Sequence, residues 1–239
     1  MENTQIRTAV VLCGGKGSRL GLLGTRIPKC LVEIQNHPII WYIINILRKN
    51  SFNHFILPIG YKGSQIKKFV KKSFPFEKNI QIINTGINTS IALRIHKIKK
   101  FIKSENFLLL NGDAIFNFNL DKIYKNHIKK KIIMTFVSFG YVANFGTVGV
   151  KKGKVVDFRR NMKFDFVKSR YQKDLTTYLY SGISMLNKIV LSKDFRNAEN
   201  FEKKLYSWVI KKFKCNVEAP TGFFHPIDNI KDITAGNNK

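Results

Sequence analysis

Three glycines, one arginine and one lysine near the start of the chain have the types and spacing for phosphate chemistry. Gly14, Gly15 and Gly17 fall within the run Leu12-Cys13-Gly14-Gly15-Lys16-Gly17, with Arg19 just beyond. Glycines let the backbone turn sharply and bring its N–H groups onto a phosphate with no side chain in the way. Arg19 offers a fork of donors, and Lys29, which follows Pro28, adds a point charge. The run Thr8-Ala9-Val10-Val11-Leu12 before the glycines is apolar and β-branched, so it reads as a buried strand. A glycine loop at a strand end, with cations returning to it, holds a nucleoside triphosphate.

The elements that position these residues follow from periodicity. Strands are expected over Thr8–Cys13, Asn53–Ile59, Asn79–Ile83 and Phe107–Leu110, alternating with helices over Pro38–Lys49, Gly63–Lys72 and Thr89–Ile102. Such alternation implies parallel strands joined by right-handed crossovers, with ligands bound beyond the strands' carboxyl ends. Asn111-Gly112-Asp113 ends the fourth strand, so two candidate motifs meet at one edge. Further on, a helix is expected over Asp121–Lys130, then strands over Lys131–Phe139, Gly146–Val150, Val155–Phe158 and Tyr178–Leu186. Lys152-Gly153 reads as a turn, Arg159–Asp174 as a mobile loop, and Asn200–Phe213 as an amphipathic helix. With no repeat or linker, the chain reads as one domain over 1–239, with a nucleotide half at 1–113 and an acceptor half at 114–239.

The net charge is +27 over 239 residues, which raises nucleic-acid binding. The lysines are spread over every expected helix and form no block, so solvated faces explain most of them, and the field should draw phosphorylated substrates inward. No nucleic-acid partner is expected. No apolar run is long enough to insert in a membrane, and the polar start followed directly by a strand-like run leads us to expect no signal peptide. Cys13, Cys30 and Cys215 lack metal-ligand spacing and read as reduced thiols of a cytoplasmic protein. Cys13 reads as a packing residue of the loop, and His127 and His225 as ordinary, partly exposed histidines.

The chain resembles the sugar-1-phosphate nucleotidyltransferases, and most closely their glucose-1-phosphate cytidylyltransferase branch. The resemblance rests on LCGGKGSRL with PKCLVEI, on HPIIWYIINIL with FILPIGYKGSQIKKFV, and on INTGINTSIALRI, where Thr85, Gly86, Thr89 and Arg94 match. It extends through NGD at 111–113, FGTV at 145–148, SGI at 181–183 and GFFHPIDNIKD at 222–232. It implies a three-layer α/β fold with a Rossmann-like mixed, mainly parallel central sheet flanked by helices. It also implies homo-oligomers and a Mg²⁺-dependent reaction of a nucleoside triphosphate, CTP favoured with GTP or dTTP as alternatives, with a sugar 1-phosphate or another phosphorylated acceptor. The products are pyrophosphate and a nucleotide-sugar for surface polysaccharide. A catalytically silent nucleotide-sugar-binding homologue is the competing expectation.

Residue by residue, the resemblance places Leu12, Cys13, Gly14, Gly15, Lys16, Gly17, Thr89, Arg94 and Gly112 on the nucleotide. Arg19, Lys29 and Asp113 serve catalysis, and Asp113 with Asp228 holds the metal. Gly146, Thr147, Arg160, Ser181 and Gly182 serve the sugar phosphate. Plainer roles compete: Asp113 could close a turn and Asp228 could cap the last helix.

Three positions depart from the branch. Ile91-Ala92-Leu93 stands where it has Thr-Gly-Gly before the arginine. Arg159-Arg160-Asn161 replaces a Glu-Lys pair, leaving Arg160 or Lys163 to grip the sugar phosphate. Tyr180-Ser181-Gly182 replaces Asn-Gly-Gly.

Overall fold

Along Thr8–Leu12 successive side chains point to opposite faces of a sheet. Ala9 and Val11 enter one buried cluster and Val10 another, each fully buried. The computed structural model describes residues 5–143, 146–160, 162–168, 174–198 and 200–237. Phe145 and Asn161, and part of the expected Arg159–Asp174 loop, lie outside the described residues.

Seven strands form the central sheet, in the order Cys215–Glu218, Met134–Phe139, Leu179–Asn187, Asn106–Asn111, Thr8–Leu12, His54–Ile59, Ile80–Asn84. Only Leu179–Asn187 runs against its neighbours; the other pairings are parallel. Helices cover both faces. On one side Ile39–Lys49, Gly63–Ser73 and Leu120–Lys129 bury Ile39, Ile43, Leu47, Ile66, Val70 and Tyr124 against Ala9, Phe55 and Leu108. On the other, Ile91–Ile98 and Phe201–Lys212 bury Ile95, Ile98, Leu205 and Val209 against Val10, Ile56 and Leu109. The three-layer α/β expectation holds.

The differences from expectation are local. The helix expected from Thr89 begins at Ile91, because the Ser90 hydroxyl accepts from the Leu93 N–H at 3.2 Å and caps it. It ends at Ile98 in a tighter turn over Lys99–Phe101. Pro38 precedes its helix and pairs with Glu33 in a short antiparallel ladder. The described part of the expected 159–174 loop includes two short strands. Lys163–Phe164 pairs with Tyr141–Val142, and Val167–Lys168 with Thr176–Thr177. His127 is 1% exposed, against the expectation of partial exposure. Lys152 and Gly153 both take positive φ, 49° and 77°, at the tip of the Thr147–Lys151 and Lys154–Arg159 hairpin. Among the described residues no helix is long and apolar enough to cross a membrane.

Candidate active site

The glycine loop leaves the end of Thr8–Leu12 between two neighbouring strand ends. On one side, Gly112 donates its N–H to the Leu12 carbonyl at 3.1 Å. A side chain at Gly112 would press within 2.8 Å of that carbonyl, so glycine lets the strand ends close up. On the other side, Tyr61 N–H reaches the Gly14 carbonyl at 3.3 Å. Gly17 has φ of 62°, a left-handed turn that glycine tolerates, and it sits over the Lys29 side chain.

A cavity of about 580 Å³ opens at this edge. Leu12 to Gly17, Lys29, Thr89, Arg94, Gly112 and Asp113 all line it. The sequence-derived nucleotide set therefore converges on one cleft. Asn111, Cys30 and Ile91 line it too; strand-end position was the signal for Asn111 and the departure from the branch's Thr-Gly-Gly run the signal for Ile91, whereas Cys30 stood in a matched motif with no role of its own.

The acidic residues arrive by different routes. Asp113 follows Asn106–Asn111 directly. Asp228 is brought beside it by a short antiparallel pairing of Ala114–Phe116 with Phe224–Pro226. The Ile227 N–H then donates to the Asp113 carbonyl at 2.9 Å. Asp228 does not cap the last helix: Asn229 Oδ1 accepts from the Lys231 N–H at 2.9 Å instead. The Asp228 carboxylate is thus turned to the cations. Lys29 Nζ donates to Asp113 Oδ2 at 2.8 Å and to Asp228 Oδ1 at 2.9 Å. Arg19 Nη1 donates to the same Asp228 oxygen at 3.2 Å.

Burial pulls the Lys29 ammonium towards neutrality, but Asp113 and Asp228 outweigh it and hold its pKa above the usual lysine value. The Lys29 hydrogen bond, chiefly, holds the Asp228 carboxyl below its ordinary range.

Arg94 is buried beneath the loop, 4% exposed. Its guanidinium donates to the carbonyls of Gly14 at 2.9 Å, Ile59 at 3.2 Å and Ile87 at 3.3 Å, and to the Thr85 hydroxyl. Thr89 spends its hydroxyl on the Thr85 carbonyl at 2.7 Å. Cys13 is buried, and its thiol is pushed well up by a hydrogen bond with Cys30 and by burial. It stays protonated and packs.

The expected acceptor residues lie apart from the cavity. Gly182, with φ of 77°, backs onto Asn111: a side chain there would come within 2.6 Å of its amide. Ser181 is buried and gives its hydroxyl to the Val137 carbonyl at 2.7 Å. Gly146 packs under the Phe158 ring, Thr147 bonds the Arg159 carbonyl at 3.0 Å, and Arg160 is exposed.

A cleft at the carboxyl edge of a mainly parallel sheet, with a glycine loop and clustered charges, marks an α/β protein of the nucleotide-handling kind. The chain belongs to the nucleotidyl transferase family, whose profile matches residues 8–205. It is 33% identical over 177 residues to the probable glucose-1-phosphate cytidylyltransferase of Bacillus subtilis (strain 168), covering 66% of this chain and 70% of that one. It is 25% identical to the D-glycero-alpha-D-manno-heptose 1-phosphate guanylyltransferase of Aneurinibacillus thermoaerophilus, over 90% of this chain and 94% of that one. Among solved structures, HddC from Yersinia pseudotuberculosis superposes with a TM-score of 0.70 at 18% identity, over 98% and 99% of the two chains. That likeness speaks for the fold alone.

Proposed function

We propose that this sugar-1-phosphate nucleotidyltransferase uses CTP and feeds surface polysaccharide synthesis in the cytoplasm. The phosphate oxygen of the sugar attacks the α-phosphorus of the triphosphate, the bond to the β-phosphate oxygen breaks, and pyrophosphate leaves. The nucleophile is already an anion, so the protein's task is positioning and charge neutralisation. The observation that carries the reading is the meeting of the glycine loop, Lys29 and Asp113 in one cleft.

In this reading the N–H groups of Gly14, Gly15 and Gly17 hold the nucleotide's phosphates. Arg19 takes the leaving pyrophosphate, and Lys29 the α-phosphate or the incoming phosphate. Thr89 and Arg94 fix the loops around the base and ribose. Gly182, behind Asn111, sets the acceptor side, with Gly146, Thr147, Arg160 and Ser181 shaping the approach. Asp113 and Asp228 suit a hard divalent cation: their oxygens reach one common point, and their side chains are 36% and 44% exposed. Mg²⁺ commonly takes one or two carboxylates plus phosphate oxygens, and when bound it would neutralise charge on the phosphates. We also infer a homo-oligomer. Val148, Val150, Val155, Val156 and Phe158 of the hairpin are each more than half exposed, an apolar surface that a second copy would cover; sedimentation tests this.

A second reading keeps the reaction and changes the base to guanine or thymine. Ile91 supports it, since it lines the cleft where the cytidylyltransferase branch carries its Thr-Gly-Gly run. Pyrophosphate release across nucleoside triphosphates crossed with sugar 1-phosphates, with Mg²⁺, tests both. Release with CTP supports the first reading, and release with GTP or dTTP alone supports the second. No release with any pair, while Asp113→Asn and wild type behave alike, overturns the enzymatic reading.

A further inference from the structure

The Lys29 ammonium fills the point that the two carboxylates share. Both contacts come from one Nζ, at 2.8 Å to Asp113 and 2.9 Å to Asp228. Arg19 adds a second cation on Asp228, so two positive and two negative side chains cancel within bonding distance.

We propose that Lys29 is the resident counter-ion of the Asp113–Asp228 pair, that a divalent metal and the Lys29 ammonium exclude each other there, and that metal enters tightly only when nucleotide phosphates draw the lysine away. The inference rests on the nucleotidyltransferase reading, because the nucleotide is what displaces the lysine.

Space is the first argument. A Mg²⁺ ion sits about 2.0–2.1 Å from its carboxylate oxygens, inside the volume that Nζ occupies. A dication at contact with an ammonium is strongly repelled, and more so away from bulk water. Occupancy by one means departure of the other.

Reach is the second. Lys29 lines the cleft as well as touching the acids. Its stem rises beneath Gly17, where an added side chain would come within 3.2 Å of the Lys29 Cβ. Four rotatable methylenes carry the ammonium between carboxylates and cleft with the backbone still.

Ligand number is the third. Among the described residues no third His, Cys, Asp or Glu joins the pair to make a metal cluster. The protein offers two donors, and the others must be phosphate oxygens and water. Nucleotide therefore does two things at once: it removes the competitor and completes the ligand set. The coupling is reciprocal, and couplings of this kind run to about 5–150-fold.

The probe is Mn²⁺, titrated into nucleotide-free full-length protein and followed by the electron paramagnetic resonance of the free ion. Wild type is expected to bind weakly. Lys29→Met should bind about tenfold tighter or more, whereas Lys29→Arg, which keeps the charge, should stay as weak as wild type. Lys29→Met/Asp113→Asn should lose the gain, which places the ion on the carboxylates. Circular dichroism checks folding, and Lys29→Gln repeats the test if the methionine variant does not fold. Equal affinity of wild type and both neutral variants overturns the proposal; with wild-type turnover intact, the nucleotidyltransferase reading survives it. No binding by the neutral variants, together with no turnover by wild type, overturns both.

Discussion

Nη2 of Arg94 donates to the carbonyl of Gly14 at 2.9 Å, so a helix on one face of the sheet holds the glycine loop from beneath. The same guanidinium reaches the ends of His54–Ile59 and the segment after Ile80–Asn84. Removing it leaves several carbonyls without their donor. Arg94→Met should lower stability by about 2–4 kcal/mol. It should cut kcat/KM on the order of 10²-fold by letting the loop drift. Arg94→Lys keeps the charge but not the fork, and should recover part of the stability. Urea unfolding alongside steady-state kinetics reads both.

The glycines facing the cleft and those facing the protein should respond differently. A Cβ on Gly60 would meet the Gly86 carbonyl at 2.5 Å and Arg94 Nη1 at 2.6 Å. Gly60→Ala should therefore cost about 1–3 kcal/mol, as overpacking does. A Cβ on Gly15 meets nothing within 4 Å. Gly15→Ala should leave stability within about 0.5 kcal/mol while weakening nucleotide binding. Thermal denaturation with nucleotide titration separates the two effects. A Gly15→Ala protein with unchanged nucleotide affinity would count against the loop as a phosphate cradle.

His127 should make folding sensitive to mild acid. Burial lowers its pKa from 6.5 to about 4, and its ring lies against Thr135 and Asn106 at 2.9 and 3.2 Å. The unfolded chain takes up the proton near 6.5, the folded one only near 4. Stability is therefore full above the unfolded value and falls as pH drops between the two, by about 1.4 kcal/mol per unit from this group. Urea midpoints from about pH 7.5 to about pH 5 should show the slope, and His127→Gln should make it shallower, leaving the part that His54, also lowered by burial, contributes.

Salt should act on encounter more than on chemistry. The four charges of Arg19, Lys29, Asp113 and Asp228 cancel, so the +27 lies elsewhere on the molecule. Such a field draws in phosphates from a distance and is screened readily. Raising salt from about 0.05 M to about 0.5 M should lower kcat/KM while kcat changes little. A parallel fall in kcat would locate the effect in the site instead.

What the sequence made legible was local. The apolar runs at Thr8–Leu12 and His54–Ile59 announced buried parallel strands, and the glycine loop and Asp113 sat at strand ends, where ligands bind. The nearness of Asp228 to Asp113 was visible only through resemblance, because the Ala114–Phe116 and Phe224–Pro226 strands are too short for alternation to register. The clamp made by Arg94 was hidden, since two of its three carbonyl partners, Ile59 and Gly14, lie 35 and 80 residues away. Ser181 shows the converse: its motif suggested ligand contact, yet its hydroxyl is taken up by the Val137 carbonyl. The short strands around Lys163 and Val167 carry too many charges to show a pattern.

The reversed strand Leu179–Asn187 is bonded on both edges, to Asn106–Asn111 and to Met134–Phe139. The exposed lysines around the Lys152–Gly153 tip invite a trypsin-like protease. A nick there severs the chain between those strands without touching a rung of the sheet. The two fragments should stay associated as a clipped but working enzyme, and part only when urea melts the ladder.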